Sequence, residues 1–171
     1  IQKPDQVKQY QSLVKTETIR LERLIQDLLT LGSLQSSGSA CPLSFVALDE
    51  AAEHVLKLIL PLAQAKNIRL HADIAPGLPL VQGNRDRLIQ LFLIFLDNAV
   101  KYTPSGGSVT LSLATNKADT LVCTIQDTGA GIPAEDLPYI WERFYKVDKS
   151  HQQGDGGTGL GLAIARQIID R

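Results

Sequence analysis

Asp97-Asn98-Ala99-Val100-Lys101-Tyr102-Thr103-Pro104 closes an amphipathic helix in this chain of 171 residues. The helix starts near Asn84, and Leu88, Leu91, Phe92, Phe95 and Leu96 form its apolar face; the Thr103-Pro104 pair ends it. Asn98, Lys101 and Tyr102 are three and four residues apart and so share one side of its last turn. An amide oxygen suits Mg2+ without adding charge, a lysine suits a phosphate, and a tyrosine ring can pack against a base. Taken alone, the segment is equally the polar end of an ordinary helix.

Working outward, Leu43 to Leu48 reads as a short strand, Asp49 as the cap of a helix running to about Lys66, and Ile68 to Ile74 as an alternating strand. Pro76, Gly77 and Pro79 mark a turn. Downstream, Ser108 to Thr115 and Thr120 to Gln126 form an antiparallel hairpin around Asn116-Lys117-Ala118-Asp119, and an irregular, glycine-rich region leads into a last helix, Leu160 to Asp170. This order predicts an α+β fold, a two-layer α/β sandwich in which one mixed sheet is covered by helices on one face.

Ahead of it, Val7, Tyr10, Val14, Leu21, Leu24, Leu28 and Leu31 recur at three-then-four spacing, interrupted by Glu17. That is a coiled-coil-like helix whose apolar seam needs a partner, and a helical bundle is the natural solution. Small polar residues from Gly32 to Ser39 then predict a linker. Residues 1–38 are expected to be the helix and linker, and 39–171 a globular domain.

Seventeen Lys and Arg against eighteen Asp and Glu leave a net charge of -1, without the basic excess that nucleic-acid binding needs. Cys41 and Cys123 stand far apart with no CxxC pair, which points to reduced thiols rather than a zinc site or a disulfide framework. No apolar run is long enough to span a bilayer, so no membrane segment is expected in this chain. The chain opens on Ile1 and holds no Met, and is expected to be part of a longer polypeptide that could carry one.

Two further segments carry chemistry. In Asp127-Thr128-Gly129-Ala130-Gly131-Ile132-Pro133 the glycines allow a tight turn and close approach to a ligand, and the Asp127 carboxylate can accept from an exocyclic amine such as that of adenine. A plain turn after a strand has the same pattern. In Gly156-Gly157-Thr158-Gly159-Leu160-Gly161-Leu162, glycine-rich backbone at a helix start favours an anion. It has neither the Gly-Lys-Ser/Thr ending of a Walker loop nor the setting of a dinucleotide fingerprint.

Together and in this order, the three segments resemble the nucleotide-binding boxes of the sensor histidine kinases of two-component systems, a branch of the Bergerat-fold ATPases. Trp141-Glu142-Arg143-Phe144-Tyr145-Lys146-Val147-Asp148 looks like the phenylalanine box and the start of a lid over ATP. Arg20 to Leu29 is similar to the second helix of the dimerisation and phosphotransfer domain. The resemblance implies that Asn98 holds Mg2+, Asp127 reads the adenine amine and Tyr102 flanks the base, with Gly129, Gly131 and Ile132 beside the nucleotide. Lys101, Arg143 and Lys146 would face phosphates, and Gly157, Thr158, Gly159, Leu160, Gly161 and Leu162 would wrap them. Asn98, Lys101, Arg143 and Lys146 would thus carry catalysis, and Phe144 would anchor the lid in an apolar slot or serve packing alone.

The implied activity is transfer of the ATP γ-phosphate to a histidine on an upstream helix, then to the aspartate of a response-regulator receiver domain, in a cytoplasmic homodimer joined by the N-terminal helix. A serine kinase of the same fold and a degenerate nucleotide-binding scaffold are the alternatives. Three departures stand out. Ile94 replaces the Asn that many relatives carry one turn before Asn98, and it cannot orient water as the Glu of gyrase and chaperone ATPases does. None of His54, His71 and His151 sits in an acidic phosphoacceptor motif. The family's domain also continues into strands beyond the last helix.

Overall fold

The computed structural model describes residues 4–35, 43–147 and 157–170. Two compact units make up the chain: Ile1–Gly38 with Pro133–Arg171, and Ser39–Ile132. The first element is a long helix, α1 (Pro4–Gln35), which continues through Gly32 and Ser33, where a linker is expected from composition. Leu31 and Leu34 are 3% and 4% exposed. Burying two leucines contributes ~1.5–3 kcal/mol each, against ~1 kcal/mol for a glycine within a helix. Packing therefore overrides local propensity. The seam divides accordingly: Leu31 is buried within the chain, whereas Tyr10, Val14, Leu21 and Leu28 remain exposed. Residues 36–39 of the expected linker, and Cys41, lie outside the described residues.

The unit Ser39–Ile132 contains β1 (Ser44–Val46), α2 (Leu48–Ala65), β2 (Arg69–Ile74), β3 (Val81–Gly83), α3 (Arg85–Tyr102), β4 (Ser108–Thr115) and β5 (Leu121–Asp127). Its main sheet is mixed, in the order β2-β4-β5, with β2 and β4 parallel and β4 and β5 antiparallel. β1 and β3 pair separately as a two-stranded antiparallel ribbon, so the single sheet expected from sequence is split. Three residues, Val81-Gln82-Gly83, are too few to show a strand period, which is why β3 escapes a reading by pattern.

Helices α2 and α3 bury their apolar stripes with one face of the main sheet, joining Val55, Ile59, Phe92, Leu96 and Val100 to Val109, Leu111 and Leu113 of β4. Thr110 and Ser112 alternate with those residues and face away, as the period of two requires. Leu91 and Phe95, expected on the α3 apolar face, are only half-buried; the buried stripe is Phe92, Leu96, Ala99 and Val100. Asn84 caps α3, its side chain accepting from the Arg87 N–H at 3.0 Å. Asp49 is not the cap of α2. Ala47 holds that position with no side-chain bond, and Asp49 lies in the first turn, where its charge favours the helix dipole. Pro61 is tolerated inside α2 on its exposed side, between the buried Ile59 and Ala63.

In the other unit a series of turns from Pro133 leads to Phe144, and the chain ends in α4 (Gly161–Ile169), which packs along α1 and buries Ala163, Ile164 and Ala165. The Tyr145 hydroxyl donates to Asp136 Oδ1, and the Tyr139 and Tyr145 rings lie 5.7 Å apart. Those contacts brace the turns. Among the described residues, no helix is long and apolar enough to cross a membrane.

Candidate functional site

Asn98, Lys101 and Tyr102 occupy the last turns of α3. Asn98 and Lys101 are half-buried, and Tyr102 is 61% exposed. The Lys101 ammonium lies 5.0 Å from the centre of the Tyr102 ring, a cation–π contact. Desolvation, and secondarily the Asp97 carboxylate, push the Tyr102 phenol above its ordinary value, so it stays neutral and can donate.

A helix end leaves its last carbonyls without intrahelical partners. Here the first three are met by hydrogen bonds. Ala99 O accepts from the Thr103 N–H at 3.0 Å and from its hydroxyl at 2.7 Å, and Thr103 is fully buried. Val100 O and Lys101 O both accept from Lys66 Nζ, the first at 3.1 Å. Tyr102 O faces Gly129: a Cβ built there would stand 2.8 Å from it.

Asp127 ends β5, and its Oδ1 accepts from the Gly129 N–H at 2.7 Å, closing a small side-chain turn. The same Cβ on Gly129 would meet Asp127 Oδ1 at 2.7 Å, so only glycine lets this loop lie against the end of α3. Thr128 ties the loop to β4: its N–H donates to Ser108 O at 3.1 Å and its hydroxyl accepts from the Ser108 N–H at 2.9 Å. Gly131 has φ +74°, and Ile132 beside it is 44% exposed. The first two sequence segments thus converge, Tyr102 meeting Asp127 through Gly129.

The remaining segments belong to the other unit. Gly159, at φ +74°, presents its carbonyl to the Phe144 N–H at 2.8 Å, and a Cβ there would stand 2.8 Å from Phe144 Cα. Phe144 itself has φ 65°, a conformation rare for a bulky residue. Phe144 is 57% exposed, and its backbone makes the contact to Gly159. The Thr158 hydroxyl donates to Asp27 Oδ2 of α1 at 2.6 Å and accepts weakly from the Leu160 N–H at 3.3 Å. Gly157 and Leu162 are half-buried, Leu160 is fully buried and offers only its backbone, and Gly161 opens α4. Arg143 is exposed and Lys146 half-buried. Asp148, His151 and Gly156 lie outside the described residues, and His54 and His71 are exposed on α2 and β2.

Among the described residues there is no group of three or more His, Cys, Asp or Glu that could hold a metal. A single amide oxygen from Asn98 fits Mg2+, which retains waters and takes its remaining ligands from substrate phosphates. Lys66, Thr103, Thr128 and Asp27 are absent from the sequence-derived set. Lys66 and Asp27 reach partners far along the chain, and no local pattern signals that.

Residues 83–171 match the family described as histidine kinase-, DNA gyrase B- and HSP90-like ATPase. The chain belongs to that family. Several of the relatives it matches within that family are named sensor histidine kinases. Sensor protein SphS of Synechococcus elongatus is 38% identical over 90% of this chain and 38% of its own length. Sensor histidine kinase RppB of Synechocystis is 36% identical over 91% of this chain and 34% of its own. The chain therefore spans little more than a third of the length of these curated relatives. Among solved structures, full-length ShkA in complex with AMPPNP superposes with a TM-score of 0.78 at 27% identity, over 95% of this chain and 33% of that one. Acinetobacter baumannii histidine kinase AdeS gives 0.72 at 26%, over 99% and 75%. The α+β architecture with a helix in front is common to them.

Proposed function

We propose that this chain binds Mg-ATP and transfers the γ-phosphate to a histidine on an upstream helix of the longer protein, for relay to the aspartate of a response-regulator receiver domain. The observation that supports the reading is that the loop after β5 lies against the end of α3, the Gly129 position standing beside both Asp127 Oδ1 and the Tyr102 main chain, which brings the carboxylate acceptor to the helix turn that carries Asn98, Lys101 and Tyr102. In this reading Asp127 accepts from the adenine amine and Tyr102 flanks the base, with Gly131 and Ile132 alongside. Lys101, Arg143 and Lys146 face the phosphates, and the backbone from Gly157 to Leu162 wraps them at the start of α4. Asn98 is the residue that would hold Mg2+, which when bound neutralises charge on the phosphate oxygens. Catalysis by such a site is positioning and charge stabilisation. The AMPPNP complex of ShkA is consistent with this ligand.

Residues 1–38 are proposed as the second helix of the dimerisation and phosphotransfer domain and 39–171 as the ATP-binding domain. The exposed Tyr10, Val14, Leu21 and Leu28 of α1 support a homodimer, because a helix of this length leaves such a seam open only if a partner covers it. ATP places the domain in the cytoplasm.

The test is incubation of the longer polypeptide, upstream helix included, with γ-labelled ATP. Label that is stable to base and lost in acid is expected, the behaviour of a phosphohistidine. Acid-stable label would identify a serine kinase instead, and no label on a folded, nucleotide-binding protein would identify a scaffold.

A further inference from the structure

Helix α3 carries three of the proposed nucleotide residues at its C-terminus, the end where its aligned peptide dipoles leave partial negative charge. The Lys66 ammonium sits there, donating to Val100 O and to Lys101 O. Those two carbonyls belong to the peptide units that lead into Lys101 and Tyr102. The lysine is not a loosely held surface side chain. Its own backbone N–H is bound to Leu62 O and Ala63 O at the end of α2, and the chain reverses at Asn67 with φ 57°. Beyond it, Ile68 N–H donates to Ala63 O, Gly106 N–H to Asn67 O, and Arg69 N–H to Gly107 O. Both the stem and the target of the contact are therefore anchored. Thr103 occupies Ala99 O, and Gly129 lies against Tyr102 O. Val100 O and Lys101 O are the carbonyls that the Lys66 ammonium holds.

We propose that Lys66 is a positioning residue for the nucleotide half-site on α3: its ammonium fixes the two peptide planes from which Lys101 and Tyr102 project. It does so without touching ligand, and the proposal rests on the ATP reading above. A neutral side chain of similar length would leave both carbonyls without the cation and let the last turn fray, since helix ends untie first.

Lys66→Met, Lys66→Arg and, as control, Lys57→Met on an exposed stretch of α2 separate this role from simple stability. Each is titrated with a non-hydrolysable ATP analogue under conditions where circular dichroism shows it folded. Backbone amide NMR spectra are recorded for the free proteins. Lys66→Met is expected to bind about tenfold more weakly, equivalent to about 1.4 kcal/mol, while Lys66→Arg recovers most of the loss and Lys57→Met binds as the parent does. Amide shifts in Lys66→Met should concentrate at residues 98–103. Parent-like affinity in Lys66→Met, or amide changes spread evenly over the unit, would overturn the proposal. If the folded parent chain binds no nucleotide, the ATP reading fails on its own. The amide spectra then decide on Lys66: shifts confined to 98–103 uphold its hold on the helix end, and their absence removes it.

Discussion

Gly129→Ala should damage the nucleotide half-site more than it damages the fold. The new Cβ would stand 2.7 Å from Asp127 Oδ1 and 2.8 Å from Tyr102 O, and the second of these is backbone that cannot rotate away. Relief requires the loop after β5 to lift from the end of α3, taking Asp127 with it. Overpacking of this kind costs ~1–3 kcal/mol, offset by up to ~1 kcal/mol from the stiffer unfolded chain, so a net loss of ~1–2 kcal/mol is expected. Gly77 supplies the comparison. It has φ +69° with nothing within 4 Å of a Cβ, so Gly77→Ala suffers backbone strain alone, ~1–2 kcal/mol, in the same unit but in the turn after β2. Urea unfolding followed by far-ultraviolet circular dichroism should rank the two variants close together. Calorimetric titration of an ATP analogue should separate them: at least about tenfold weaker binding for Gly129→Ala and no change for Gly77→Ala. Binding by Gly129→Ala as tight as the parent's would refute the claim that this glycine brings Tyr102 and Asp127 into one site.

Other outcomes follow from single contacts. Asp27→Asn preserves a hydrogen-bond acceptor for Thr158 but removes a carboxylate beside the glycine turn, so ATP-analogue affinity should rise; a fall would argue against phosphate at Thr158. Thr103→Val loses the buried hydroxyl bond to Ala99 O and should lower stability by about 1 kcal/mol in urea, with an unchanged midpoint counting against that bond. The hydrogen bond to Asp136, with desolvation secondary, pushes the Tyr145 phenol up to about 12 from an ordinary 10.0. Because the folded value is the higher one, the contact favours the fold below pH 10.0 and fades as pH rises toward about 12. Ultraviolet titration should show a late-ionising tyrosine step toward pH about 12 that Asp136→Asn brings forward. Leu21→Glu with Leu28→Glu should convert a dimer to monomer in sedimentation, since both side chains are exposed on α1.

Much of the fold was legible because its elements keep a clear period. The α3 helix, its start near Asn84 and the β4–β5 hairpin follow from spacing and turn chemistry alone. Where tertiary contact decides, local pattern misleads. Gly32 looks like a break, yet buried Leu31 and Leu34 carry α1 beyond it, and β3 exists because β1 offers it a partner. The glycine segments were visible as motifs, but their physical necessity was not: Gly129 is fixed by the Tyr102 carbonyl and Gly159 by the Phe144 backbone. Phe144 drew attention for its ring, whereas its main chain makes the bond to Gly159. Lys66 carries no signal at all, since the carbonyls it holds are 34 and 35 residues away.

Calorimetric titration of Mg-ATP analogue into the chain and into its Asp127→Asn variant tests the central claim most directly. Asp127 lies exposed at the end of β5, so the substitution should leave the fold intact while weakening the acceptor for an adenine amine. Saturable binding by the parent and a loss of about tenfold or more in the variant is the predicted result. Equal affinity in both folded proteins would contradict the assignment of Asp127 and with it the adenine site.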